Sequence, residues 1–155
     1  MRFVIPVKEF KNMTLPTESK ELQSIKRCCC YAAVSNLPSH LRDHILPSSF
    51  EGGPSKEQVT TWMDMSPESF HLYAPPVVIH TDSFVFDNRK GKVTFELNDP
   101  DSHGVILGGT VLSTLLEYRK PYSSNTLDGE YYVELEFLSG LTKEHLSSLA
   151  SFRSR

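Results

Sequence analysis

Two glycines, Gly108 and Gly109, stand between an apolar run and a segment with helical spacing. Glycine permits a tight turn from strand to helix, and it leaves the first N–H groups of the helix open to a ligand. These N–H groups and the helix dipole favour an anion. Thr110 follows and is predicted to cap the helix, with phosphate binding as the alternative. Because the sequence contains neither a P-loop nor a three-glycine dinucleotide fingerprint here, a structural turn is the favoured interpretation.

A second polar group, Asp99, Asp101 and His103, lies just before the apolar run. Spaced carboxylates with a histidine can bind a metal ion or transfer protons. The same residues are typical of a turn, because proline fixes φ and Asn and Asp side chains bond to nearby backbone. The turn is the preferred interpretation. An active site shared with the Gly108-Gly109 loop is the alternative.

The other residues that could do chemistry predict no site. Glu134 and Glu136 share one face of a predicted strand, because side chains two apart point the same way. A solvated face is favoured there over an acid/base pair. His40 and His44 have a spacing that can hold zinc, but the glutamate of the metalloprotease motif is missing. The cysteines are consecutive, Cys28 to Cys30, and are predicted to be small apolar residues of a buried strand. We therefore expect no metal and no cofactor.

Composition points to an ordinary globular protein with no general affinity for nucleic acid. The chain has 155 residues, a formal net charge of −3 and 39% hydrophobic residues. A weakly acidic protein gains no long-range attraction to nucleic acid or anionic lipid. No segment reaches the roughly 18 apolar residues that a membrane span needs, and the first residues do not form a signal peptide. One domain over 1–155, without membrane contact and in the cytoplasm, is the expectation.

The elements that must position these residues are clearest after Pro75. Four strand-like runs, a helix after the glycine pair, a further strand and a last helix follow in order. The last helix is predicted to begin after Thr142, with His145 at the place of the usual capping glutamate. The N-terminal half is predicted to hold a strand over 3–7, charged helical turns over 20–26, a buried strand from Cys28 and a flexible loop over 47–57. The fold class is therefore α+β (or α/β): a mixed sheet covered by helices, with a strand–turn–helix unit near 104–119.

The stretch from Ser69 to Ala150 resembles part of the abortive-infection phage-resistance (AIPR) family. The residues that carry the resemblance are "HGVILGGTVLSTLLE" and "YYVELEFLSGLTKEHLSSLA". They follow the order and spacing of a family signature in which an acid and a histidine flank two glycines. Here Leu107 stands at the acid's position and Thr110 at the histidine's. Such proteins usually continue past this point, so the chain is expected to be truncated relative to the family.

The resemblance implies a module that keeps the scaffold and has lost the polar signature groups. The leading hypothesis is a small non-catalytic binding module related to phage defence, with a protein partner or an anion bound near His103, Gly108, Gly109 and Thr110. The alternatives are an enzyme that processes nucleic acid or nucleotides, and a decayed fragment without an independent role. A third possibility is partner recruitment or self-association through an exposed strand edge.

Overall fold

The structure is a computed structural model. It describes the backbone of residues 1–122 and 130–153, and the side chains of those residues except 120–122. Mixed α and β content confirms the predicted α+β class. No helix of the described residues is both long and apolar enough to cross a bilayer.

Strands of the described residues form two sheets. The strands are β1 (Arg2–Pro6), β2 (Lys8–Asn12), β3 (Lys26–Ala33), β4 (Val77–Thr81), β5 (Ser83–Asp87), β6 (Lys92–Glu96), β7 (Gly104–Leu107) and β8 (Tyr132–Ser139). A five-stranded mixed sheet has the order β2-β3-β8-β4-β7, and a three-stranded antiparallel sheet has the order β1-β6-β5. Strand β8 is antiparallel to β3 and parallel to β4.

Helices are fewer and lie mainly against the five-stranded sheet. The α-helices are α1 (Lys56–Met65), α2 (Phe70–Tyr73), α3 (Gly109–Tyr122) and α4 (Lys143–Arg153). Short 3-10 helices cover Val34–Asn36, Ser39–His44 and Pro47–Phe50. Helix α4 begins with a complete capping box: the N–H of His145 donates to Thr142 Oγ1, and the N–H of Thr142 donates to His145 Nδ1, both at 3.1 Å. The imidazole thus replaces the usual glutamate.

One face of the five-stranded sheet, the inner face, carries the main core. Alternate residues of β3 and β8 point there, among them Cys28, Cys30 and Phe137, which are all buried. The three-stranded sheet covers part of this face, with the rings of Phe95 and Phe137 4.9 Å apart. Helix α3 covers another part through residues such as Leu112. The prediction of buried cysteines is therefore confirmed for Cys28 and Cys30. It is wrong for Cys29, which is half-buried because it points to the other face of the sheet.

The opposite face of the five-stranded sheet, the outer face, is only partly covered. Helix α4 packs there through Leu146 and Leu149 against a small apolar cluster that includes Val78 and Leu138. Several other outer-face positions of β3 and β8 carry polar or aromatic side chains. Arg27, Glu134 and Glu136 line one cleft, and Tyr31 and Tyr132 line another.

The N-terminal half differs from prediction in three places. Residues 20–24 form turns and Lys26 already begins β3, so the predicted helical turns over 20–26 are wrong. Strand β2 was not predicted, because a charged five-residue edge strand has no clear alternation. The segment 47–57 holds a 3-10 helix with buried Ser49, exposed residues from Glu51 to Gly53, and the start of α1. Its flexibility stays a prediction.

Candidate functional site

The glycine pair forms the predicted corner between strand and helix. Strand β7 ends at Leu107, Gly108 has a φ of +82°, and α3 begins at Gly109. A side chain at Gly108 would be strained at this φ and would sit 3.0 Å from Pro76 O. At Gly109 a Cβ would overlap the Ser49 hydroxyl. The first glycine is therefore needed for the turn and the second for close packing.

Thr110 lies inside the first turn of α3, one residue after the helix begins. It does not precede the helix, so the prediction that it caps α3 is wrong. The N–H of Leu112 donates to Gly108 O at 3.0 Å and closes the first turn. The N–H groups before it are those that a helix cannot pair within itself.

A cleft of about 500 Å³ opens beside this corner. We call it the glycine-turn cleft. Gly108, Thr110 and Leu107 line one side of it. The outer face of the sheet and the end of α4 supply Arg27, Glu134, Glu136 and Arg153. Its volume lies within the range of small-ligand sites, and its walls combine apolar surface with a few charged groups.

The floor of the glycine-turn cleft is a carboxylate held by two arginines. The side chain of Glu136 is only 3% exposed, and its Oε2 lies 2.9 Å from Arg153 Nη1 and 3.3 Å from Arg27 Nε. Arg27 Nη2 donates to the other oxygen at 3.4 Å, whereas Arg27 Nε makes no hydrogen bond of good geometry. A buried carboxylate needs such partners, because it has lost its water. The side chains of Arg27 and Arg153 remain 40% and 33% exposed, and each guanidinium group has more N–H donors than Glu136 uses.

The prediction of a solvated face is therefore wrong for Glu136. Period-two alternation correctly places Glu136 and Glu134 on the same side of β8. It cannot show that α4 and the side chain of Arg27 cover one end of that side. The only sequence signal was the position of Arg27 in β3, directly before the buried cysteines and on the same face as Cys29.

The acidic turn before β7 satisfies its own polar groups. Asp99 accepts hydrogen bonds from the N–H of Asp101 at 3.0 Å and from the Ser102 hydroxyl at 2.8 Å, and these bonds lower the pKa of Asp99. His103 Nδ1 accepts from the N–H groups of Asn98 and Asp99 at 3.1 and 2.9 Å. The side chains therefore stabilise a turn, and this confirms the interpretation that the sequence analysis preferred.

His103 and the glycine pair do not meet. They lie at opposite ends of β7, and a strand rises about 3.3 Å per residue. His103 instead packs against His80, with ring centroids 5.3 Å apart. Among the described residues, no group of three or more His, Cys, Asp or Glu side chains is placed to hold a metal ion. Of the predicted site, the structure brings together Gly108, Gly109 and Thr110 only.

His80 is a buried polar residue that the sequence did not reveal, since it stands in the apolar run of β4. Its Nδ1 lies 2.7 Å from Ser102 O and its Nε2 accepts from the N–H of Leu141 at 3.2 Å. This assigns the proton to Nδ1. Burial lowers the pKa of His80. The ring links the acidic turn to the segment that leads into α4.

Comparisons of the chain with protein-family models, curated proteins and solved structures gave no significant match. The resemblance to the abortive-infection family stays a prediction from the sequence.

Proposed function

We propose that the chain is a small non-catalytic binding module, and that the glycine-turn cleft receives an acidic segment of a protein partner. The observation that carries the proposal is the pair of partly exposed arginine side chains, Arg27 and Arg153, which line the same cleft as the N-terminus of α3. Guanidinium groups bind carboxylates through paired N–H donors. The helix N-terminus adds donors and a positive end of the dipole.

The other charges of the cleft favour a peptide over a free anion. Glu134 and Glu51 also line the cleft, and each repels a small anion that carries only negative charge. A peptide segment brings backbone N–H donors for these carboxylates together with an acidic side chain for the arginines. A protein partner therefore fits the mixture of charges better than phosphate or a nucleotide.

The positions of the family signature support a module without catalysis. Leu107 and Thr110 stand where the resemblance implies an acid and an imidazole, and both line the glycine-turn cleft. Neither side chain can transfer a proton near neutral pH. We propose on this basis a cytoplasmic module related to phage defence, in which the glycine-turn cleft serves for recognition. No contact of Asp99, Asp101 or His103 favours the enzymatic alternative.

The test is a binding experiment with an acidic probe. We expect the blocked amino acid N-acetyl-glutamate N-methylamide to shift the NMR signals of the Gly109, Thr110 and Val111 amides. Arg27→Gln should weaken this binding severalfold because it removes a donor. Glu134→Gln is the matched control: it removes a like charge from the same cleft, so it should tighten binding.

Two outcomes would overturn the proposal. One is an absence of shifts at the start of α3 with a folded protein at saturating probe. The other is turnover of nucleotides or nucleic acid by the unmodified chain with Mg²⁺ or Mn²⁺. In contrast, activity that emerges only in the double variant Leu107→Asp with Thr110→His would support the family relationship.

A further inference from the structure

A second cleft, of about 460 Å³, lies on the outer face around the ends of β2 and β3. We call it the acidic–aromatic cleft. Its aromatic side chains are Tyr31, Tyr132 and His71, with the rings of Tyr31 and His71 in edge-to-face contact at 5.6 Å. Its charged side chains are three carboxylates, Glu9, Glu68 and Glu130, and one ammonium group, Lys8. Aromatic rings among excess carboxylates are the setting in which proteins bind organic cations.

Sheet register explains how these residues meet. Lys8 is paired with Tyr31 across β2 and β3, so both side chains point to the outer face. Tyr132 is on the neighbouring strand β8, one diagonal step from Tyr31. The β2–β3 pairing then shifts register after Lys8, and Glu9 takes a φ of +55°. A bulge of this kind redirects a side chain at the edge of a sheet.

One cation already occupies part of the acidic–aromatic cleft. The Lys8 ammonium lies 5.2 Å from the centroid of the Tyr132 ring and donates to the Tyr132 hydroxyl at 3.1 Å. Lys8 is exposed and lies at the edge of the sheet, so its long side chain can leave the ring without disturbing the core. The intramolecular contact shows that this wall of the cleft accommodates an ammonium group.

We propose that the acidic–aromatic cleft binds an alkyl-ammonium group from outside the chain, which displaces Lys8 from the Tyr132 ring. Two sources share this chemistry: a lysine side chain of a protein partner and a free polyamine. The three carboxylates exceed the single resident ammonium, so a second cation is attracted even while Lys8 stays near. This site is separate from the glycine-turn cleft and does not rest on the function proposed there.

The test titrates the protein with N-acetyl-lysine N-methylamide and with spermidine, and follows the ring signals of Tyr31 and Tyr132 by NMR. Lys8→Met should tighten binding of both probes about threefold or more, because it removes the internal competitor. Tyr132→Leu should weaken binding about fivefold, because it removes the ring. Tyr132→Phe keeps the ring and should bind at least as well as the wild type.

Three controls distinguish ammonium recognition from apolar binding, from long-range charge effects and from loss of the fold. N-acetyl-norleucine N-methylamide lacks the ammonium and should not bind. Lys143→Gln, which removes one positive charge from an exposed position at the start of α4 outside both clefts, should leave ammonium binding unchanged. An amide spectrum for each variant verifies the fold, and Tyr132 is suitable for replacement because it lies outside the main core.

The outcomes are decisive in either direction. Tighter binding of the lysine derivative assigns the site to a protein partner, and tighter binding of spermidine assigns it to a free polyamine. The inference is overturned if neither probe binds the wild type or Lys8→Met. It is also overturned if Tyr132→Leu binds as the wild type does, or if the norleucine derivative binds equally well.

Discussion

Cys28 and Cys30 point into the main core on the inner face of the five-stranded sheet. Their burial there governs their chemistry. Burial raises the pKa of the Cys28 thiol to about 12, with Cys29 and Glu136 acting in the same direction. Burial likewise raises the pKa of Cys30. Cys29 points to the outer face and is half-buried; burial first and Glu136 next raise its pKa too. Because the thiolate is the nucleophile, Cys28 and Cys30 are expected to be unreactive in the folded protein and Cys29 to react only slowly.

Alkylation tests this expectation residue by residue. With iodoacetamide near neutral pH, we expect the native protein to be modified slowly and only at Cys29. All three cysteines should react once the chain is unfolded in denaturant. Mass spectrometry after digestion gives the extent at each position. Rapid modification of Cys28 or Cys30 in the native protein would contradict their burial.

At the scale of elements, the corner between β7 and α3 decides where the glycine-turn cleft opens. Gly108 supplies a backbone conformation that other residues adopt at a cost. Its neighbours Pro76 and Val77 approach it closely, so the corner also sets the position of α3 over β4. A shift of this corner would move the first turn of the helix away from Arg27 and Arg153.

Replacement of Gly108 measures how much the corner contributes to the free energy of unfolding. Gly108→Ala should lower the free energy of unfolding by about 1–2 kcal/mol from the positive φ alone, and further because of the close contact with Pro76 O. Gly53→Ala is the matched control: Gly53 has a φ of +73° with nothing within 4 Å of the added Cβ. Urea denaturation of both variants gives the comparison. Equal losses would mean that the close contact contributes nothing.

At the scale of the whole molecule, His80 of β4 couples two segments that are distant in sequence. Its ring contacts Ser102 and His103 of the acidic turn, and Leu141 before α4. Desolvation lowers the pKa of His80 most, and His103 acts in the same direction, while the Ser102 hydrogen bond and Asp99 oppose it. Protonation at Nε2 would remove the acceptor for the Leu141 N–H and loosen the approach to α4.

The lowered pKa of His80 makes the stability of the folded protein decrease as the pH falls. Because the folded-state pKa of His80 is below its ordinary value of about 6.5, the unfolded chain binds the proton more strongly. The contribution of neutral His80 to stability is complete above the ordinary histidine pKa of about 6.5. It is lost as the pH falls from there toward the folded-state pKa of His80. Its slope is at most about 1.4 kcal/mol per pH unit for one proton. His80→Gln should show a shallower decline in urea midpoints between pH 7 and pH 5, and identical slopes would refute the assignment.

The sequence by itself determined the local features: the glycine corner, the strands and helices after Pro75, the burial of Cys28 and Cys30, and the acidic turn. Each of these features depends on the backbone conformation of a few residues or on the regular spacing of hydrophobic residues. Both are set by residues that are close together in the sequence. Tertiary structure alone decided the rest. Burial of Glu136 and His80, the separation of His103 from Gly108 and the two clefts all follow from strand register and from α4 lying on the outer face. These contacts join residues far apart in sequence, so no local pattern encodes them.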